Sequence, residues 1–203
     1  MTEREEQVRL REYLREKGDA LPLPEVRARV AASFQTMEAL LAPVSQAAAA
    51  VRPGPGEWSI HEVVVHLLLT HAPSLGELRD LLANRRPAGP PIPAGLQSAD
   101  PFATPWADVR TALAAQHAEI LRALDGARDA PTAARAPVIA VINLREADGR
   151  QAPFHWMEEI AWKAYAVFAF RLHTLDHITQ VKKLRGAGVS ATRAEPGAPA
   201  DRR

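Results

Sequence analysis

The sequence predicts an all-α protein, a four-helix bundle with one long crossover loop. Apolar residues recur at three- and four-residue steps in four long segments, and a Pro-rich interruption separates the second segment from the third. A single β-branched stretch breaks this helical pattern. Of the 203 residues 47% are hydrophobic, but 39 are Ala, so the larger apolar side chains are enough for one ordinary core and little more.

The first element is short and charged. Thr2 with Glu5 three residues on reads as a capping box, and Gly18 reads as the end of a helix whose only apolar residues are Val8, Leu10, Tyr13 and Leu14. This segment, residues 1–20, is expected on the outside of the molecule. Val26, Val30, Phe34, Met37, Leu41 and Val44 then mark one face of the first core helix, running to about Gln46 with Pro43 disturbing its last turn.

The Pro and Gly residues between Arg52 and Glu57 break the chain. Ser59 followed by Glu62 caps a second core helix expected to reach about Asn84, with a kink near Thr70 caused by Pro73. Residues 87–105 hold six Pro and two Gly and form the crossover loop. Thr104 as cap and Pro105 as first helical residue open the third helix, which carries Val109, Leu113, His117, Ile120 and Leu124 on one face and ends at Gly126. A small hairpin is expected between Val138–Leu144 and Arg150–Phe154, turning at Ala147, Asp148 and Gly149. The fourth helix is expected from about Trp156 to Arg185, closing a bundle domain of residues 21–185. The tail 186–203, rich in Gly, Ala, Pro and Arg, is expected to be disordered.

Charge and composition exclude several functions. With 25 Lys+Arg against 24 Asp+Glu the net charge is +1, without the basic excess of a dedicated nucleic-acid binder. No apolar run is long enough to span a bilayer, and the N-terminal segment has no signal-peptide core, so no membrane partner and a cytoplasmic location are expected. There is no Cys, which removes disulfides, thiolate ligands and a Cys nucleophile together. A metal would have to be held by His, Asp or Glu.

Seven His are present. His173 and His177 stand four apart and project from one side of the last helix, close enough to share an ion, as in helix-borne zinc sites. A third ligand must come from another helix. His61, His66 and His71 are spaced five apart and cannot all face one site; His61 lies near the helix start and is expected to be solvated. His66 sits inside the apolar run Val63–Leu69, where an unpartnered imidazole is costly, and His71 falls on the stripe of Ile60, Val63, Leu67 and Leu78, so periodicity leaves both open. His117, on the inner face of the third helix, reads as a core residue.

Two segments carry a family resemblance. Trp58, Ser59, Glu62, Val63, His66 and Leu67 resemble the W-S-x-x-E-V-x-x-H-L signature of the DinB-like (DinB/YfiT) family, and His173, His177, Gln180 and Val181 are similar to its H-x-x-x-H-x-x-Q-I segment. The resemblance covers roughly residues 23–184. It implies a four-helix bundle binding one divalent metal ion through His66, His173 and His177, and so favours His66 over His71. The charged N-terminal helix, Pro73 and the loop 87–105 depart from the usual pattern.

Three imidazoles leave a coordination position open, the arrangement of a catalytic site. The resemblance implies a metal-dependent enzyme acting on a small molecule, thiol S-transferase-like or hydrolase-like, with a low-molecular-weight thiol supplying the sulfur this chain lacks. Zinc or nickel is expected first, manganese or iron next, since imidazole suits several of them. Glu62 and Asp176, each beside a candidate ligand, are candidate catalytic carboxylates, although Glu62 stands equally where a cap would. Gln180 fits either a hydrogen bond to His177 or a core polar contact. A homodimer is expected. The alternative is a non-catalytic bundle serving dimerisation or small-ligand binding.

Overall fold

The computed structural model of the protein describes residues 4–145 and 151–192. It is mostly helical with a small two-stranded sheet. The helices are α1 (Glu5–Leu14), α2 (Leu23–Leu41), α3 (Gln46–Ala49), α4 (Ile60–Leu82), α5 (Trp106–Asp125), α6 (Trp162–Ala166) and α7 (His173–Thr192). A π-helical turn, Arg15–Asp19, follows α1, and a second, Val167–Leu172, joins α6 to α7. The strands β1 (Ala136–Arg145) and β2 (Gln151–Ile160) lie between α5 and α6.

Local chemistry explains most boundaries. α2 ends at Leu41, about five residues before the expected Gln46, because Pro43 cannot donate the backbone bond that would continue it. Ser59 accepts from the Glu62 backbone while the Glu62 carboxylate accepts from the Ser59 backbone, the capping box expected at the start of α4. α4 continues through Pro73 and stops at Leu82, where Asn84 takes a left-handed φ of 54° and its Oδ1 accepts from the Ala133 and Ala134 backbone. At α5 the cap is Pro105 itself, one residue later than expected. The cap expected at Thr2 lies outside the described residues; at Arg4 the backbone N–H donates to Gln7 Oε1.

Two expectations need correction. The hairpin is longer than its β-branched core, pairing Ala136 with Ile160 through to Arg145 with Gln151, so the last helix begins at Trp162 and not Trp156. Residues 156–160 alternate: Trp156, Glu158 and Ile160 point inward while Met157 and Glu159 are exposed, a period of two that a helix cannot use. The expected turn residues 147–149 and Arg150 lie outside the described residues. At the other end, α7 runs past Gly186 to Thr192, where helix was not expected, since propagating an existing helix needs no new nucleus. Residues 193–203 lie outside the described residues.

The four long helical elements, α2, α4, α5 and the α6–α7 run, pack on one another. Their apolar faces form two separate clusters. One gathers Leu14, Val30, Phe34, Leu78, Ile120, Trp162 and Phe170; the other gathers Met37, Leu41, Val64, Leu67, Leu113 and Val181. Each fully buried side chain of this size stabilises the fold by roughly 1.5–3 kcal/mol. On three helices the stretch between the clusters is polar and buried: Thr70, His71 and Ser74 on α4, His117 on α5, Thr174 and His177 on α7. A layer of imidazoles and hydroxyls therefore separates two apolar cores.

The N-terminal helix packs over the hairpin. Arg4 lies 4.3 Å over the Phe154 ring, and Arg11 donates to both oxygens of the buried Glu158 at 2.8 Å. Trp156 Nε1 donates to the same carboxylate, and Arg171 on the last helix reaches the Tyr13 hydroxyl. Gly18 in the first π turn lies so close to α6 that a Cβ there would stand 2.7 Å from Ala164 Cα, so only glycine fits.

Candidate metal centre

Within the polar layer three imidazoles converge. His66 lies two turns into α4, placed there by the Ser59 cap, and His173 and His177 open α7. The π turn before His173 changes the winding of the last helix just ahead of His173 and His177. His173 Nε2 stands 3.0 Å from His66 Nε2 and 3.0 Å from His177 Nε2. All three nitrogens lie within 4.8 Å of one another.

The outer nitrogens are already assigned. His66 Nδ1 donates to the Leu96 carbonyl at 2.6 Å, and His177 Nδ1 donates to Gln180 Oε1 at 2.9 Å. A neutral imidazole has one N–H, so both Nε2 atoms are bare lone pairs directed at His173. A single proton on His173 Nε2 can satisfy only one of these approaches well. An electron-pair acceptor between the three satisfies all of them, and a tetrahedral zinc with nitrogens at 2.0–2.1 Å would hold them about 3.3 Å apart. The donor set therefore fits a divalent ion, with Leu96 and Gln180 as the partners that fix tautomer and ring orientation.

Burial keeps the three imidazoles neutral. His66 is lowered chiefly by desolvation, with the Leu96 carbonyl opposing. His173 falls well below its ordinary value through burial and then the neighbouring His177, His71 and His66. His177 is pushed down to about 4 by burial and His66, partly offset by Gln180. Neutral imidazole is the form that binds metal, so no proton has to be displaced near neutral pH.

The remaining histidines stay away from this point. His71 is fully buried with neither ring nitrogen partnered among the described residues, its ring 5.7 Å from His173, 5.8 Å from His117 and 5.5 Å from Phe170. It lies behind the triad, not in it. His117 is a core residue as expected, stacked 3.8 Å from Phe34 with Nδ1 2.7 Å from Glu38 Oε1. His61, expected to be solvated, is fully buried between the rings of Phe102 and Trp106, because the crossover loop folds back over the start of α4. Trp58 lies half-buried beside the site, 4.9 Å from His66 and 6.5 Å from His177.

The two carboxylates differ. Glu62 takes Arg52 on both oxygens, at 2.8 and 2.5 Å, and accepts from the Ser59 backbone at 2.9 Å. These bonds, Arg52 first, hold its pKa at about 2 despite burial, and it does not line the cavity beside the triad. Asp176 does line that cavity; surface-exposed on its outer side, it has its pKa raised by the atoms that desolvate the rest.

The cavity measures about 430 Å³ and is lined by His173 and His177 among others. Its walls come from β1 between Pro137 and Ile142, Trp156 of β2, Leu10 of α1, the loop residues Ile92, Pro93 and Ala94, α4 and the last helix. Sequence periodicity could not find this loop contribution, because the Leu96 atom used is a backbone carbonyl and any residue supplies one.

Residues 13–162 match the family model of the DinB superfamily. The chain belongs to the DinB superfamily. No curated protein and no solved structure matches it. The DinB match includes His66 and stops at Trp162, ahead of His173 and His177, so the convergence of those two on His66 rests on this chain's own geometry.

Proposed function

We propose that this DinB-superfamily chain is a four-helix bundle that holds one divalent ion on His66, His173 and His177 and acts on a small molecule, as a thiol S-transferase-like or hydrolase-like enzyme. The observation that carries the reading is the convergence of three Nε2 lone pairs at the end of a cavity large enough for a small substrate. A bound zinc or nickel ion would supply Lewis acidity and lower the pKa of a water or a thiol at its open position. The chain's own groups do the rest. Leu96 and Gln180 hold the imidazoles in one tautomer, Asp176 stands at the cavity as the proton acceptor, and β1 with the Pro-rich loop excludes bulk water. Glu62 serves the start of α4. With no Cys in the chain, sulfur for a transfer reaction arrives with a low-molecular-weight thiol.

The test is elemental analysis of protein purified without a His-tag. About one divalent ion per chain is expected, with most of it lost in His173→Ala and a lower melting temperature after chelation. Full retention of the ion in that variant, or a melting temperature indifferent to chelator and to added zinc, refutes the site. Turnover of electrophiles with added thiols, compared with hydrolysis without them, then separates the two reaction classes.

A further inference from the structure

The cavity has a second polar end. From His173 it runs back along the last helix to Tyr165, eight residues earlier, roughly 10–12 Å at helical rise. Between these ends the walls are mostly apolar, with Val138, Ala140, Phe168 and Leu172 among them, while α4 adds Thr70 and Ser74. At the far end Glu77 of α4 faces Tyr165, whose hydroxyl donates to Glu77 Oε2 at 2.5 Å. Among the described residues Glu77 Oε1 has no hydrogen-bond partner and no Lys or Arg lines the cavity. Thr70 spends its hydroxyl proton on the His66 and Leu67 carbonyls, and Ser74 spends its own on the Tyr165 hydroxyl, leaving lone pairs for the cavity. Among the described lining residues the polar atoms of α4 and Tyr165 on offer are therefore acceptors, and the fixed charges are carboxylates.

An acceptor-lined, half-buried carboxylate at the end of an apolar slot selects a hydrogen-bond donor, and a cationic one above a neutral one. It rejects a carboxylate or phosphate, which would meet like charge with no counter-cation. Burial, and then the nearby Asp80, raise the Glu77 pKa against the Tyr165 hydroxyl. We infer that Glu77, braced by Tyr165, anchors a protonated amine of the substrate, so that the cavity takes a small molecule with a short apolar body, an ammonium at Glu77 and its reacting end at the three histidines. This rests on the cavity being the substrate site, and it adds the class of molecule.

The probes are hexylamine, hexanol and hexanoate, titrated calorimetrically near pH 7 into the full chain after chelation, so that no probe can coordinate metal. Hexylammonium is expected to bind at least tenfold tighter than hexanoate, with hexanol between. Glu77→Gln should lose at least tenfold in hexylammonium affinity and keep hexanol; Glu77→Asp, which withdraws the carboxylate by one methylene, should lose part of it, covering the case in which the Gln variant does not fold. Equal or better binding of hexanoate, no binding by any probe at millimolar concentration, or a folded Glu77 variant that binds hexylammonium like the parent overturns the inference. A protein with the ammonium preference but no affinity for metal would overturn only the metal reading, and one that binds metal without the preference would overturn only the anchor.

Discussion

Lowering the pH should unfold this protein through its histidines before its carboxylates. Six of the seven His have pKa values lowered in the fold, each chiefly by burial: His61, His66, His71, His117, His173 and His177. The unfolded chain takes up a proton on each near 6.5, while the folded chain resists. The stability they contribute is therefore complete above pH 6.5 and is lost as the pH falls from there toward the folded values. For His177, with a folded pKa of about 4, the loss at pH 4.5 is about 2.5 kcal/mol, and the slope approaches 1.4 kcal/mol per pH unit. The triad members add to this but not independently, because each new charge opposes the next. Glu62, held at about 2, gives up its contribution mainly below pH 4.5, in a separate window. Urea denaturation with chelator present, at pH 7.5, 6.5, 5.5 and 4.5, measures the loss, and His177→Gln should flatten the curve. A parent protein that loses less than about 1 kcal/mol between pH 6.5 and 4.5, or a His177 variant with an unchanged slope, refutes the reasoning.

Three further outcomes are expected. Glu62→Ala should cost about 1–2 kcal/mol in urea by uncapping α4 and freeing Arg52, yet leave metal affinity within about twofold in a competitive chelator titration; a large loss of metal would return Glu62 to the site. Gln180→Leu should weaken metal binding about 10- to 100-fold with little change in folding, because it removes the acceptor that fixes the His177 tautomer; unchanged affinity would make Gln180 a plain core contact. Gly18→Ala should destabilise by about 1–3 kcal/mol, since the new Cβ meets the Ala164 backbone, whereas Gly76→Ala, on α4 with nothing within 4 Å, should be neutral or stabilising by up to about 1 kcal/mol in the same urea assay.

Much of this was legible in the sequence where side chains declare their own role. The Ser59–Glu62 pair marked the start of α4, the inner face of α5 followed its apolar period, and the i,i+4 spacing put His173 and His177 together. Choosing His66 over His71 needed more than periodicity, because both lie on buried faces of one helix and only tertiary packing decides which nitrogen meets α7. Trp156 to Ile160 read as helix because five residues sample less than two turns, and the alternation that betrays a strand shows only once burial is known. His61 looked exposed because its cover comes from residues forty positions later. The Glu77–Tyr165 pairing likewise joins residues 88 apart, with no local pattern to announce it.

The bond from the Leu96 carbonyl to His66 has a consequence for how this protein can change over time. The Pro-rich loop gives the histidine a main-chain oxygen, so replacing the side chain at position 96 leaves that gift intact as long as the backbone path is kept. A few residues away, Ile92, Pro93 and Ala94 present side chains to the cavity. One loop therefore supports an imidazole through its main chain and shapes the cavity through its side chains, so substitution at positions 92–94 can reshape the cavity wall without disturbing the bond to His66.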